Sequence, residues 1–276
     1  MIKNKFSWFV GLLVLCCLAC AEKEEGCLDI YATNFDFDAD LACVDCCTYP
    51  IFELKVSHYW DSLTPFEYGD PIFEQIDSLD TIRINQLGFF ITDIYLHSDT
   101  DSLTVASVFE LENLNDNVFE VSAALQWIDQ KSTQATGLGP FPHSGNIITG
   151  VSFFIGFDPA YGSIDPLGLA EGHPAGISSD SLNWSSTFGF LDARFNFSRQ
   201  GMFAADSIDV PLQFEAYVYE SFSEVQELEV GNDVRLDLRL YYKDLIESCD
   251  LTNASIEQIR DCLINNFAGA IQFDSF

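Results

Sequence analysis

Basic residues are scarce. The 276-residue chain has 12 Lys and Arg against 43 Asp and Glu, a formal net charge of −31 at pH 7. With so few cations nothing can neutralise a phosphate backbone, which excludes nucleic-acid binding. Past residue 20 there is no uninterrupted apolar run of about 18 residues, so the later sequence predicts no membrane-spanning helix. Familiar catalytic signatures are missing as well: there is no GxSxG elbow, no HExxH and no phosphate-binding GxxxxGKS/T. Gly150-Val151-Ser152-Phe153-Phe154 has Phe where the elbow needs Gly. Carboxylates are so numerous that no glycosidase-type pair stands out. The chain reads as a non-enzyme. Only four His are present: 58, 97, 143 and 173.

Apolar residues are plentiful. They make up 48% of the chain, with 25 Phe, which is too much for a disordered polymer despite the charge. The length suits one all-β domain of about 200–250 residues or two smaller ones. Residues 1–20 open with Lys3 and Lys5 and continue as an apolar run over 6–19, the pattern of a secretory signal. Cys17-Leu18-Ala19-Cys20 resembles a bacterial lipobox, with Cys20 the residue to be acylated and a charged tether (Glu22, Lys23, Glu24, Glu25) behind it. The rival reading is cleavage at Ala19-Cys20-Ala21, releasing a soluble protein. Both predict export, and loss of Lys3 and Lys5 moves the charge from −31 to −33.

Nine Cys are present; Cys16 and Cys17 fall in the signal and Cys20 takes the lipid. Six remain, an even number in an exported chain, which reads as disulfides. Cys249 and Cys262 form one expected pair, and the other four crowd between 27 and 47. The competing use is Cys43-Val44-Asp45-Cys46 with Cys47 as zinc or copper thiolates. Residues 26–49 resemble a short cysteine motif that precedes domains in many bacterial surface proteins. The match rests on Gly26, Cys27, Asp29, Ala32, Asn34, Phe35, Ala39, Cys47 and Tyr49. That resemblance implies a Cys27–Cys47 pair; the additional Cys43 and Cys46 then form a second small bridge. Alternating Asp36, Asp38 and Asp40 read as a calcium-type carboxylate set or as a solvated acidic turn.

From residue 51 onward, period-two patterns dominate. Phe52, Leu54, Val56, His58 and Trp60 share one face of 51–60; Val210, Leu212, Phe214, Ala216 and Val218 share one face of 210–218; Val234, Leu236, Leu238, Leu240 and Tyr242 share one face of 234–242. Such alternation predicts half-buried antiparallel strands. Further strands are expected over 81–97, 103–111, 118–128, 147–157 and 186–198, with turn-rich breaks at 137–145 and 166–176. One helix is expected over 255–267, capped by Ser255 and Gln258. No βαβ rhythm, internal repeat or long linker follows residue 50. The fold class is therefore an all-β sandwich or open barrel with one short C-terminal helix. The domain reading is a signal over 1–20, an acidic tether and cysteine motif over 21–50, and a β-domain over 51–276.

His58 stands out because it falls on an apolar strand face, where a neutral imidazole needs a partner, either a backbone group or a metal. His97 ends a strand. His143 and His173 lie in Gly/Pro-rich loops, where binding residues collect. Three stretches together resemble the MbnP-like copper-binding domain of exported bacterial proteins: GFFITDIYL (88–96), GVSFFIGFDP (150–159), and Leu182-Asn183-Trp184 followed by Phe188-Gly189-Phe190 and Gly201. The resemblance covers roughly residues 51–275. It implies a β-rich exported protein in which copper(I) is held by His side chains assisted by an oxidised Trp, and a di-haem peroxidase-like partner that oxidises that Trp. His58 matches an early-strand His of some members, with His173 as the second candidate ligand and Trp60 and Trp184 as candidates for the modified residue. Residues 212–217 lack the His that the family often carries in a late strand, Leu182 stands where Met is usual, and Phe190 where Tyr is. The expected role is metal uptake or handling; the alternative is a metal-free interaction or ligand-binding module on the same scaffold.

Overall fold

The computed structural model describes residues 23–275 apart from 69–70, 74–80, 106, 113–117, 130–133, 142, 157–168, 170–172, 174–175, 177–182, 186, 188 and 200–206. The signal and Cys20 therefore lie outside the described residues, as do Leu182, Phe188 and Gly201 of the family stretches. No helix among the described residues is long and apolar enough to cross a membrane.

In chain order the strands begin with β1 (Glu25–Gly26), β2 (Leu41–Ala42), β3 (Ile51–Tyr59), β4 (Pro71–Phe73), β5 (Thr81–His97), β6 (Ser102–Thr104), β7 (Ser107–Glu112), β8 (Val118–Ala123) and β9 (Leu125–Asp129). They continue with β10 (Thr136–Pro140), β11 (Ile147–Ile155), β12 (Trp184–Ser185), β13 (Gly189–Phe190), β14 (Ala193–Arg199), β15 (Ile208–Leu212), β16 (Ala216–Glu227) and β17 (Val234–Tyr241). Helices α1 (Tyr242–Ile246) and α2 (Ile256–Ala270) follow, and β18 (Ile271–Ser275) closes the order. A four-stranded sheet, β10-β3-β17-β18, faces an eight-stranded one built on β5. The architecture is an all-β sandwich.

Alternation builds the smaller sheet as the sequence predicts: Phe52, Leu54 and Val56 of β3 and Leu236, Leu238 and Leu240 of β17 are all buried in the core. These two strands run parallel, with Leu240 opposite His58, although the other pairings of both sheets are antiparallel. The 137–145 break contains a strand. Gly137 to Pro140 form most of β10, which pairs with β3 through a bulge. An edge position tolerates Gly and Pro because no second neighbour needs their missing side chain or N–H.

The 17-residue β5 organises the larger sheet. Gly88 and Phe89 pair with both β14 and β9, while Ile91 and Thr92 pair with both β11 and β9. Each residue has two edges, so β14 and β11 occupy consecutive stretches of one edge of β5 and β9 lies on the other. At Asp93, held at φ 51, the pattern changes parity: Leu87, Phe89 and Ile91 are buried in the core before it, Ile94 and Leu96 after it. The predicted 210–218 strand is broken by the same junction. Its first half, in β15, pairs with β14; its second, in β16, pairs with β11. Between them Phe214 N–H donates to the Asp192 carboxylate at 2.6 Å.

The helix forms with the expected capping box and buries Ile259, Leu263 and Phe267, whose ring meets Phe89 and Phe214. Two C-terminal elements, α1 and β18, were not read from the sequence. β17 runs directly into α1, and α2 into β18, which returns to pair with β17. Three disulfides join Cys27–Cys47, Cys43–Cys46 and Cys249–Cys262.

Candidate metal centre

His58 sits at the inner end of β3, on the core-facing side, 9% exposed. The chain beyond it folds back over the imidazole. Asp61 Oδ1 accepts from Leu63 and Thr64 N–H at 3.0 Å each, Trp60 N–H donates to Thr64 O at 2.7 Å, and Phe66 N–H donates to His58 O at 3.0 Å. This turn delivers Phe66 and Tyr68. From the start of α1, Lys243 N–H donates to Trp60 O at 3.0 Å and places Tyr242, fully buried, beside the ring. Phe66 stacks on Tyr242 with centroids 3.9 Å apart, and Trp60 stacks more loosely on Phe66 at 6.4 Å.

The Tyr242 hydroxyl lies 2.9 Å from His58 Nδ1, Tyr68 Oη lies 3.4 Å from the same nitrogen, and the two hydroxyls share a short hydrogen bond. Burial drives the imidazole pKa down to about 4, while the backbone and charge of Asp129 pull the other way. Burial likewise raises both phenols, so neither ionises near neutrality. The other ring nitrogen, Nε2, is buried and meets no partner at hydrogen-bonding distance and angle among the described residues, although the Asp129 backbone acts on the ring. In the tautomer whose Nδ1–H donates to a tyrosine oxygen, the Nε2 lone pair stays free inside the buried site, the form that a metal ligand requires.

A second aromatic group covers the opposite face of β5. Gly88 and Phe90 point away from the core, and Trp127 of β9 lies across Gly88: a Cβ there would come within 2.2 Å of the indole. Phe90 meets Trp127 edge to face at 4.8 Å and Phe190 at 6.4 Å; Phe190 in turn meets Trp184 at 5.2 Å. Asn183, fully buried, donates to Gly176 O at 2.7 Å, and Gly176 N–H donates to His173 O at 2.7 Å. His173 is thereby tied to the Trp184 segment, and partial burial lowers its pKa. β9 bears on both groups, through the Trp127 ring on Phe90 and through the backbone and charge of Asp129 on His58.

His58 and Trp60 thus share the turn that carries Phe66, and His173 and Trp184 lie on segments joined through Gly176 and Asn183. The other two histidines are structural. His97 Nδ1 and Nε2 lie 3.0 Å from Ser102 and 2.7 Å from buried Ser152 hydroxyls; His143 is buried, its Nε2 3.1 Å from Asn232 O. Tyr68, Tyr242, Trp127 and Asp129 were not singled out as site residues. Only Tyr242 had a signal, its place on the inward face of 234–242. Among the described residues no three carboxylates converge as a cation site, and Asp36 instead accepts from Asp38 N–H at 3.0 Å in a local turn.

These features define a class: a β-sandwich domain built around a buried, neutral, tyrosine-held histidine. The chain belongs to the MbnP family, whose model matches residues 50–253. Among solved structures, MbnP from Methylosinus trichosporium is similar at 11% identity and a TM-score of 0.38, covering 73% of this chain and 78% of that one. The curated proteins give no match.

Proposed function

We propose that the chain is an exported cell-envelope lipoprotein, anchored through Cys20, whose β-domain binds a copper ion as cargo at His58 and serves metal uptake or handling. The observation that carries this reading is the buried Nε2 of His58, which has no hydrogen-bond partner among the described residues while Nδ1 is fixed by Tyr242. Leaving such a group unsatisfied costs about 1–3 kcal/mol, a penalty that metal coordination would remove. Imidazole suits copper, and an apolar surround of Phe66, Trp60 and the two tyrosines favours the reduced ion. His173 is the candidate second ligand. Family membership supports the same reading and extends it to a di-haem peroxidase-like partner acting on a tryptophan. Trp60 and Trp184 remain the candidates, and Trp127 joins them by its position on β9.

One observation favours the alternative of a metal-free interaction module: among the described residues His58 belongs to no set of three His, Cys, Asp or Glu ligand atoms gathered within reach of one ion. Anaerobic copper(I) titration against a chromophoric chelator separates the two. The copper reading expects His58→Ala to weaken binding at least 100-fold, with His173→Ala reporting whether the second ligand is engaged. Wild-type protein with no more affinity than His58→Ala would leave the interaction module standing.

A further inference from the structure

We propose that Cys43 and Cys46 form a second, redox-gated copper(I) site, closed as a disulfide and opened by a dithiol reductant. The Sγ atoms of Cys43, Cys46 and Cys47 lie within 4.8 Å of one another, the one such ligand group found among the described residues. All three residues are half-buried, so a reductant and an ion can both reach them. The other two bridges each keep one cysteine buried, Cys27 and Cys249, both 2% exposed.

Loop length points the same way. Cys43–Cys46 spans a sequence separation of 3, against 20 for Cys27–Cys47 and 13 for Cys249–Cys262. A bridge stabilises chiefly by restricting the unfolded chain, and the shortest loop restricts it least, so opening this bond sacrifices least. The segment is also held without it. Cys43 N–H donates to Gly26 O at 2.9 Å; Asn34 Nδ2 donates to Cys46 O at 2.7 Å; Thr48 N–H donates to Asn34 Oδ1 at 2.8 Å. Asp45 takes a left-handed turn, φ 58, that folds Cys46 back toward Cys43, and Asp tolerates that conformation better than most residues. Once reduced, the two sulfurs stay where the backbone puts them.

The chemistry balances. A dithiol attacks the Cys43–Cys46 bond and ends as its own disulfide, while Cys43 and Cys46 gain two electrons and two protons. Copper(I) then displaces those two protons and is held by two thiolates, with the Cys47 sulfur, still bonded to Cys27, as a weak third neighbour. Zinc does not fit, because it asks for four ligands and this group offers no His or carboxylate. Soft thiolates in low coordination select copper(I).

The test uses purified protein with all three bridges formed, treated anaerobically with graded dithiothreitol. Free thiols are alkylated and mapped by mass spectrometry, and a parallel sample is desalted and titrated with copper(I) against a chromophoric chelator. A Cys43→Ser/Cys46→Ser variant, checked for native near-ultraviolet circular dichroism, keeps the other bridges and His58. The proposal expects Cys43 and Cys46 to be alkylated first and the reduced wild type to bind one more copper(I) than the variant. If another bridge opens first, or if reduced wild type and variant bind equal copper, the proposal is overturned.

Discussion

Acid should destabilise this protein through one histidine, and the size of the effect follows from the burial of His58. Its pKa falls from 6.5 to about 4 on folding, chiefly by desolvation. The unfolded chain therefore takes up the proton first as the pH drops. The His58 contribution is complete above pH 6.5, declines as the pH falls toward 4, and is flat below. At 1.36 kcal/mol per pKa unit the loss amounts to about 3 kcal/mol. Many carboxylates titrate in the same range, so the clean quantity is a difference. Urea unfolding of metal-free wild type and His58→Gln, measured from pH 7.5 to 4, isolates it. The wild-type advantage should shrink by about 3 kcal/mol over that span, with a slope approaching 1.4 kcal/mol per pH unit. Two curves that stay parallel would refute the neutral, buried imidazole and with it the protonation state on which metal binding depends.

Tyr242→Phe removes the oxygen shared by His58 Nδ1 and Tyr68; chemical denaturation should register a loss of about 1–3 kcal/mol, and copper(I) affinity should fall roughly 10–100-fold because the ring loses its orienting partner. Gly88→Ala forces a methyl into the Trp127 ring; thermal unfolding should show a cost of about 1–3 kcal/mol, and Trp127 fluorescence should shift as the indole is displaced. Ser255→Ala deletes the cap of α2; the expected cost is about 1 kcal/mol in denaturant unfolding, with copper binding unchanged.

Much of the sandwich was legible because burial on one face imposes period two. Strands β3, β5 and β17 and the capped helix appear at or within a few residues of the predicted bounds. What escaped reading is non-local. Nothing in 210–218 shows that its inner neighbour changes from β14 to β11, since that depends on where Asp192 and the end of β11 meet. The strand in 137–140 was hidden by Gly and Pro, which an edge tolerates. For the site, His58 was legible as a polar residue in an apolar alternation. Tyr68 was not, because a turn over 60–66 carries it across the imidazole, and turns of that kind are set by Asp61 and by contacts with Lys243 rather than by periodicity.

On the proposed reading, His58 Nε2 is the nitrogen that meets the metal. Nitrogen-15 spectra of imidazole-labelled protein, recorded as copper(I) is added, test it directly, because copper(I) is diamagnetic and leaves every histidine observable. Metal-free His58 should show a protonated Nδ1 and a bare Nε2 at neutral pH, and on saturation its Nε2 should move while His97 and His143 stay fixed. An unshifted His58 Nε2 in copper-saturated protein would contradict it.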